Sequence, residues 1–132
     1  MAQAVKDLAL YRQAKFICAV PSAPEKVFDL PRLLAGGVAK QLGLQDLTSG
    51  FDFARPKKAI KSSALAEKWN SWSDSGLRFA KPFRDHPAVI IVDDKYQSGV
   101  TIQFVASKLR EAGAGPIYGL CAVKTWRDDD NI

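Results

Sequence analysis

An uninterrupted run of aliphatic residues in the second half of the chain stands out in the hydrophobic pattern. Residues 89–92 read Val-Ile-Ile-Val, with no polar residue in alternate positions. Such a run is typical of a strand that is buried on both faces, as in a parallel sheet. The apolar positions that follow recur at helical spacing, at Ile102, Val105, Ala106 and Leu109. The pattern therefore predicts a buried strand, a short loop, and a helix that begins near Gly99 or Val100.

Similar patterns elsewhere predict an α/β fold. The predicted strands cover residues 16–20, 46–53, 89–92 and 116–123, with a further short strand at 77–79 that pairs back on the region before it. A helix is expected from Asp29 or Pro31 to a cap at Gly43, and another over residues 2–14. We expect a Rossmann-like, mainly parallel sheet with helices on both faces. The 132 residues predict a single domain, 1–132, with an N-terminal helix within 1–15 and an acidic tail at 126–132.

Composition narrows the class of protein without naming a function. The chain is 47% hydrophobic and 25% charged, with a formal net charge of +5. This charge is compatible with phosphate-rich partners. No apolar run approaches the ~20 residues that span a bilayer, so we expect no membrane association and a cytoplasmic protein. Cys18 and Cys121 each lie in an apolar run and are predicted to be buried, reduced thiols. With one histidine, His86, a zinc site is not supported, and we expect a surface histidine.

The predicted loop after the central strand carries residue types that suit a ribose phosphate. Asp93 and Asp94 follow the aliphatic run, and Ser98, Gly99 and Thr101 lie where the helix begins. Free N–H groups and partial positive charge at a helix N-terminus favour a phosphate. Carboxylates accept hydrogen bonds from sugar hydroxyls and can help to hold Mg²⁺. Each fragment alone also has a plain structural interpretation, as a solvated strand end or a helix cap.

Taken together, residues 90–101 resemble the phosphoribosyl-pyrophosphate (PRPP) signature of the type I phosphoribosyltransferases. That signature consists of aliphatics, two acids, two variable positions, two small hydroxyl residues, Gly, any residue and Thr. The resemblance implies the type I phosphoribosyltransferase fold with a minimal hood. It also implies that Asp93 and Asp94 bind the ribose, and that they contact Mg²⁺ only indirectly, through PRPP. The implied 5′-phosphate loop is Gln97, Ser98, Gly99, Val100 and Thr101. Gln97 departs from the signature, which has a small hydroxyl residue at that position. In purine-salvage members an Asp often stands there and acts on the acceptor base, and a glutamine cannot accept a proton in that way.

The resemblance extends over residues 16–125, strongly over 89–125 and weakly before that. Before the central strand, residues 19–22 (Ala-Val-Pro-Ser), 28–30 (Phe-Asp-Leu) and 33–35 (Leu-Leu-Ala) resemble the competence-type (ComF-like) branch of the family. It implies a loop that contacts the pyrophosphate after the first strand, formed by Ser22, Ala23, Pro24, Glu25 and Lys26. It also implies a mobile basic loop that covers the leaving group, to which Lys58 and Lys68 are assigned. Mg²⁺ is the implied cofactor, and family members commonly form homodimers.

Three functions remain open from the sequence. The first is a phosphoribosyltransferase that uses PRPP and a nitrogenous acceptor. The second is a non-catalytic PRPP or nucleotide sensor, or a DNA-processing accessory protein. The third is a nucleic-acid binder that uses the basic segment 57–72, in which Trp69 and Trp72 could stack on bases. For both tryptophans, packing against the core is the commoner role.

Overall fold

The computed structural model describes residues 1–21, 29–53, 65–96 and 99–124. Within these ranges the helices are α1 (Ala2–Asp7), α2 (Leu30–Leu42), α3 (Leu65–Asp74) and α4 (Val100–Glu111). The strands are β1 (Phe16–Ala19), β2 (Gln45–Asp46), β3 (Phe51–Asp52), β4 (Arg78–Phe79), β5 (Val89–Tyr96) and β6 (Ile117–Lys124). Two short 3₁₀ turns cover Tyr11–Gln13 and Thr48–Gly50.

Four of these strands form a parallel sheet in the order β2-β1-β5-β6. Phe16 is opposite Val89 and Ala19 is opposite Val92, so β1 and the first half of β5 are paired along their length. Strands β3 and β4 form a separate antiparallel pair, in which Phe51 is opposite Phe79. The predicted α/β fold with a mainly parallel sheet is confirmed.

The sheet is buried on both faces because alternate side chains of its central strands meet different helices. Ile17, Ala19, Ile90 and Val92 pack with α2 residues that include Ala35 and Val38. The intervening residues of the same strands, among them Cys18 and Ile91, pack with Trp72 of α3 and Phe104 of α4. All four residues of the 89–92 run are fully buried, which explains why the run contains no polar position.

Helix α2 begins and ends with the residues that the sequence indicates. Asp29 is the N-cap, and its side chain accepts a hydrogen bond from the Arg32 N–H at 3.3 Å. Pro31 lies in the first turn, where its missing N–H costs nothing. Gly43 caps the C-terminus in the left-handed conformation, with φ of 70°.

The predicted strand at 46–53 is wrong as one element. It divides into β2, a 3₁₀ turn and β3, and the two strands belong to different sheets. The Asp46 carboxylate accepts hydrogen bonds from both the N–H (2.9 Å) and the hydroxyl (2.5 Å) of Thr48, which turns the chain locally. The predicted short strand at 77–79 is present as β4 and pairs with β3. The N-terminal helix is shorter than expected, since α1 ends at Asp7.

The two cysteines have different environments. Cys18 is fully buried, as predicted, and burial raises the pKa of its thiol. Cys121 is only partly buried, so the prediction of a buried thiol is wrong there, because β6 is an edge strand of the sheet. Over the ranges that the structure describes, no helix has the length and apolar character needed to cross a membrane.

Candidate functional site

The sheet has one point at which the chain connections diverge. After β1 the chain passes through α2 to β2 on one side, whereas after β5 it passes through α4 to β6 on the other side. Strands β1 and β5 are neighbours, and the N–H of Val20 donates to the Val92 carbonyl at 2.9 Å where β1 ends. In open α/β sheets ligands bind at the carboxyl ends of the strands beside such a switch point. The end of β5 is therefore the candidate site.

The acidic pair lies within the last half of β5, and not after the strand as the sequence suggested. Strand β5 continues to Tyr96 because β6 extends beside it, with Cys121 opposite Asp93 and Val123 opposite Lys95. Asp93 and Asp94 are both partly buried. The Asp93 carboxylate accepts a hydrogen bond from the Asp94 N–H at 2.8 Å. This strand pairing places both carboxylates within β5, at the end of the sheet.

Cys121 lies next to the acidic pair on β6. Burial, followed by the negative charge of Asp93, raises the pKa of the Cys121 thiol to about 11. A smaller opposing effect comes from the Asp93 backbone hydrogen bond, which lowers the pKa. The thiol is consequently protonated at neutral pH and adds no negative charge to the site.

Helix α4 begins beside the end of β5. Gly99 is its N-cap, with φ of 79°, and the Gly99 carbonyl accepts a hydrogen bond from the Gln103 N–H at 3.0 Å. The first N–H groups of a helix have no intrahelical partner, and the helix dipole adds partial positive charge there. Val100 is buried and Thr101 is partly exposed in this first turn. The N-terminus of α4 can therefore hold an anion such as phosphate.

Five of the predicted site residues lie in the described part of the chain and share this end of the sheet. They are Asp93, Asp94, Gly99, Val100 and Thr101. Lys68 is a residue of α3, which packs against α4. The remaining predicted residues lie outside the described residues, namely Ser22, Ala23, Pro24, Glu25, Lys26, Lys58, Gln97 and Ser98.

Two further residues support the site, and no sequence pattern marks them. Thr48 lies near the end of β1, and its hydroxyl accepts a hydrogen bond from the Ala19 N–H at 3.0 Å. Tyr96 reaches Gly99, since a Cβ built on that glycine would lie 2.6 Å from the tyrosine hydroxyl. The signature leaves the position of Tyr96 variable, and the Thr48 contact joins residues 29 positions apart.

The described residues fit a magnesium ion only in part. Among them, no group of three or more His, Cys, Asp or Glu side chains could hold a metal ion. Asp93 and Asp94 supply carboxylate oxygens, which are the ligands that Mg²⁺ prefers, but two such residues do not make a complete site. Mg²⁺ would need most of its ligands from water and from substrate phosphates.

In the structure, Trp72 and Trp69 pack against Phe104, and His86 lies on the surface. Trp72 is buried and stacks on Phe104, with ring centroids 5.7 Å apart. Trp69 is 39% exposed and meets the same phenylalanine edge-on at 5.0 Å. His86 is exposed, with its Nδ1 3.0 Å from the Gly113 carbonyl, and it precedes β5 at the opposite end of the sheet from the acidic pair.

The comparison with solved structures agrees with this architecture. No protein-family model matches the chain, and no curated protein matches its sequence. Among solved structures, the chain is similar to a purine phosphoribosyltransferase from Pyrococcus horikoshii Ot3, with a TM-score of 0.53 and 17% identity over 96% of this chain and 76% of that chain. The chain is also similar to an adenine phosphoribosyltransferase from Rhodothermus marinus DSM 4252, with a TM-score of 0.53 and 13% identity over 94% of this chain and 77% of that chain.

A third similar structure is the allosteric regulatory enzyme of purine biosynthesis, with a TM-score of 0.56 and 20% identity. The match covers 92% of this chain but only 24% of that enzyme. At these identities the similarity concerns the fold, and it does not single out the competence-type branch. The parallel sheet, its helices and these neighbours together show that the chain has the type I phosphoribosyltransferase fold.

Proposed function

We propose that the chain binds PRPP at the end of β5 and transfers its ribose 5-phosphate unit to a nitrogenous acceptor, with release of pyrophosphate. One observation carries this proposal. In a type I phosphoribosyltransferase fold, two carboxylates and the N-terminus of a helix meet at the switch point of the sheet. A diol-binding group beside a phosphate-binding group matches a ribose 5-phosphate.

The two parts of the site would bind different parts of the ligand. Asp93 and Asp94 accept hydrogen bonds from the ribose 2′- and 3′-hydroxyls. The backbone N–H groups at the start of α4, from Gly99 to Thr101, hold the 5′-phosphate with Gln97 and Ser98. Separation of the two parts matters because the carboxylates would repel the phosphate, whereas the helix dipole attracts it.

Transfer itself breaks the bond between the ribose C1 and a pyrophosphate oxygen and forms a bond from C1 to the acceptor nitrogen. The departing pyrophosphate keeps the electron pair of the broken bond. Mg²⁺ bound to the pyrophosphate would neutralise that charge and lower the cost of departure. The loop residues Ser22 to Lys26, together with Lys58 and Lys68, would add contacts and positive charge around the leaving group. The protein mainly positions the two substrates and neutralises charge, so a rigid site is the principal requirement.

The names of two structural neighbours support the proposed class of acceptor. Two structural neighbours are named as a purine and an adenine phosphoribosyltransferase, which favours a nitrogenous base as the acceptor. By the resemblance to the signature, Gln97 replaces the Asp that purine-salvage members often have, and an amide cannot take a proton from the acceptor as that carboxylate does. We therefore expect an acceptor that needs no proton removal by that residue. A cytoplasmic location stays a prediction from the sequence, and the oligomeric state stays open.

The same glutamine favours a second candidate function, a sensor that binds PRPP or a nucleotide without turnover. A DNA-processing accessory role belongs to this candidate. It would keep the contacts of Asp93, Asp94 and the start of α4, because these bind the ligand and do not transfer protons. Pyrophosphate release separates the two candidates. The enzyme releases pyrophosphate when PRPP and its acceptor base are both present, whereas the sensor binds PRPP and leaves it intact.

Calorimetric titration with PRPP and Mg²⁺ tests the binding site. The Asp93→Asn/Asp94→Asn variant removes two charged hydrogen-bond acceptors, each worth roughly 1.5–3 kcal/mol, so binding should weaken about 100-fold or more. Asp7→Asn/Asp74→Asn is the matched control, since these aspartates are exposed and make the same change in net charge away from β5. Equal binding by both double variants would show that Asp93 and Asp94 do not contribute to the site. No binding by the native protein would refute the proposal.

A further inference from the structure

Tyr96 connects the two elements that form the candidate site. It is the last residue of β5, it is half-buried, and it is paired with Lys124 of β6. Its side chain extends to Gly99, the N-cap of α4. A Cβ on that glycine would lie 2.6 Å from the tyrosine hydroxyl oxygen and 3.0 Å from the ring carbon that bears it. The tip of the ring thus lies against the backbone on which α4 begins.

Gly99 is under two separate constraints at this contact. Its φ of 79° is in the left-handed region, which side chains other than glycine rarely adopt. The tyrosine also occupies the space that any larger residue would need. The start of α4 is therefore held from the strand side by Tyr96, only three residues earlier in the chain.

We propose that Tyr96 is a positioning residue for the 5′-phosphate, an inference that rests on the proposed function. Its ring clamps the end of β5 to Gly99 and thereby fixes the distance between the carboxylates and the N-terminus of α4. The ribose hydroxyls and the 5′-phosphate of one ligand are a fixed distance apart, so the two binding groups must keep the same spacing. A clamp that is already in place in the free protein reduces the ordering cost of binding.

The ring itself should carry this effect. Its tip contacts Gly99 through the hydroxyl oxygen and through two ring carbons, at 2.6, 3.0 and 3.1 Å from the Cβ position. Phenylalanine retains the two carbons and should clamp nearly as well as tyrosine. Leucine does not reach as far and should release the start of α4.

Calorimetry with ribose 5-phosphate tests the clamp in the native protein and in three variants. Tyr96→Leu should weaken binding about tenfold or more, as small misplacements of binding groups do, whereas Tyr96→Phe should stay within about threefold of the native protein. Tyr118→Leu is the control. Tyr118 is a half-buried tyrosine that stacks on Tyr11 at 4.9 Å, so its loss should lower stability and leave the affinity unchanged.

Each result has a distinct meaning. Native binding with no loss in Tyr96→Leu overturns the clamp and leaves the proposed function intact. Equal losses in the Phe and Leu variants also overturn it, because the hydroxyl and not the ring would then be the contributing group. Absence of binding by the native protein refutes the proposed function, and the clamp with it. Thermal unfolding of each variant confirms folding, and Tyr96→Met replaces the Leu variant if that variant does not fold.

Discussion

Replacement of Gly99 by alanine should disturb both the stability of the protein and its proposed phosphate site. Alanine at a φ of 79° would adopt the left-handed conformation, which costs roughly 1–2 kcal/mol for residues with a Cβ. The new methyl group would also lie 2.6 Å from the Tyr96 hydroxyl, well inside van der Waals contact. The tyrosine is the part that can move, and displacing it from its rotamer costs about 0.5–1.5 kcal/mol.

Gly43 offers a matched control for the backbone cost. It has a φ of 70°, and a Cβ there would meet no atom within 4 Å. Gly43→Ala should lower the free energy of unfolding by about 1 kcal/mol, the low end of the left-handed cost. Gly99→Ala adds the tyrosine displacement and should lower it by about 2 kcal/mol. The difference of about 1 kcal/mol measures the Tyr96 contact alone.

Urea unfolding of four variants, compared with the native protein, isolates this contact. They are Gly43→Ala, Gly99→Ala, Tyr96→Leu and the Gly99→Ala/Tyr96→Leu double variant. With leucine at position 96 the methyl group has room, so the extra cost of Gly99→Ala should disappear in the double variant. The proposed contact would be refuted if Gly43→Ala and Gly99→Ala lowered the free energy of unfolding equally. It would also be refuted if Gly99→Ala lowered it by the same amount with tyrosine and with leucine at position 96. Gly99→Ala should also weaken PRPP binding, whereas Gly43→Ala should not.

Three further predictions concern stability and reactivity. Trp72→Ala should cost roughly 3–5 kcal/mol in urea unfolding because the residue is buried, whereas Trp69→Ala should cost roughly 2 kcal/mol because that residue is 39% exposed. Equal costs would contradict this packing. Ser75→Ala should cost about 1–3 kcal/mol, since it leaves the Leu77 N–H without the serine oxygen that lies 3.3 Å away. Ser73→Ala, at an exposed position in the last turn of α3, is its control. Alkylation of Cys121 should accelerate as pH rises towards its pKa of about 11, because only the thiolate reacts. A pH profile of the alkylation rate with its midpoint near the pKa of a free cysteine, about 8.5, would contradict the raised pKa.

The elements around the candidate site could be predicted from the sequence because their signals are local. Four consecutive aliphatic residues indicate a strand covered on both faces, and 89–92 is such a strand. Capping residues likewise located α2, whose ends at Asp29 and Gly43 depend on hydrogen bonds within a few residues. The order of strand, acidic pair and helix along the chain predicts that the two carboxylates and the start of α4 lie at one end of the sheet.

Features that depend on distant contacts could not be predicted in the same way. The extension of β5 through Asp93 to Tyr96 requires β6 as a partner, and nothing within that stretch signals it. The division of 46–53 depends on the hydrogen bonds of the Asp46 side chain, which compete with strand pairing. Partial exposure of Cys121 follows from the edge position of β6, although the surrounding residues are apolar.

Amide NMR spectra recorded during titration with ribose 5-phosphate would show most directly where the ligand binds. We predict that the amide signals of Asp93, Asp94, Gly99, Val100 and Thr101 shift together and saturate at one ligand concentration. His86 and Gly113, whose contact lies at the opposite end of the sheet, should not shift. Shifts confined to other parts of the chain, or no shifts at millimolar ligand, would contradict a ribose phosphate site at the end of β5.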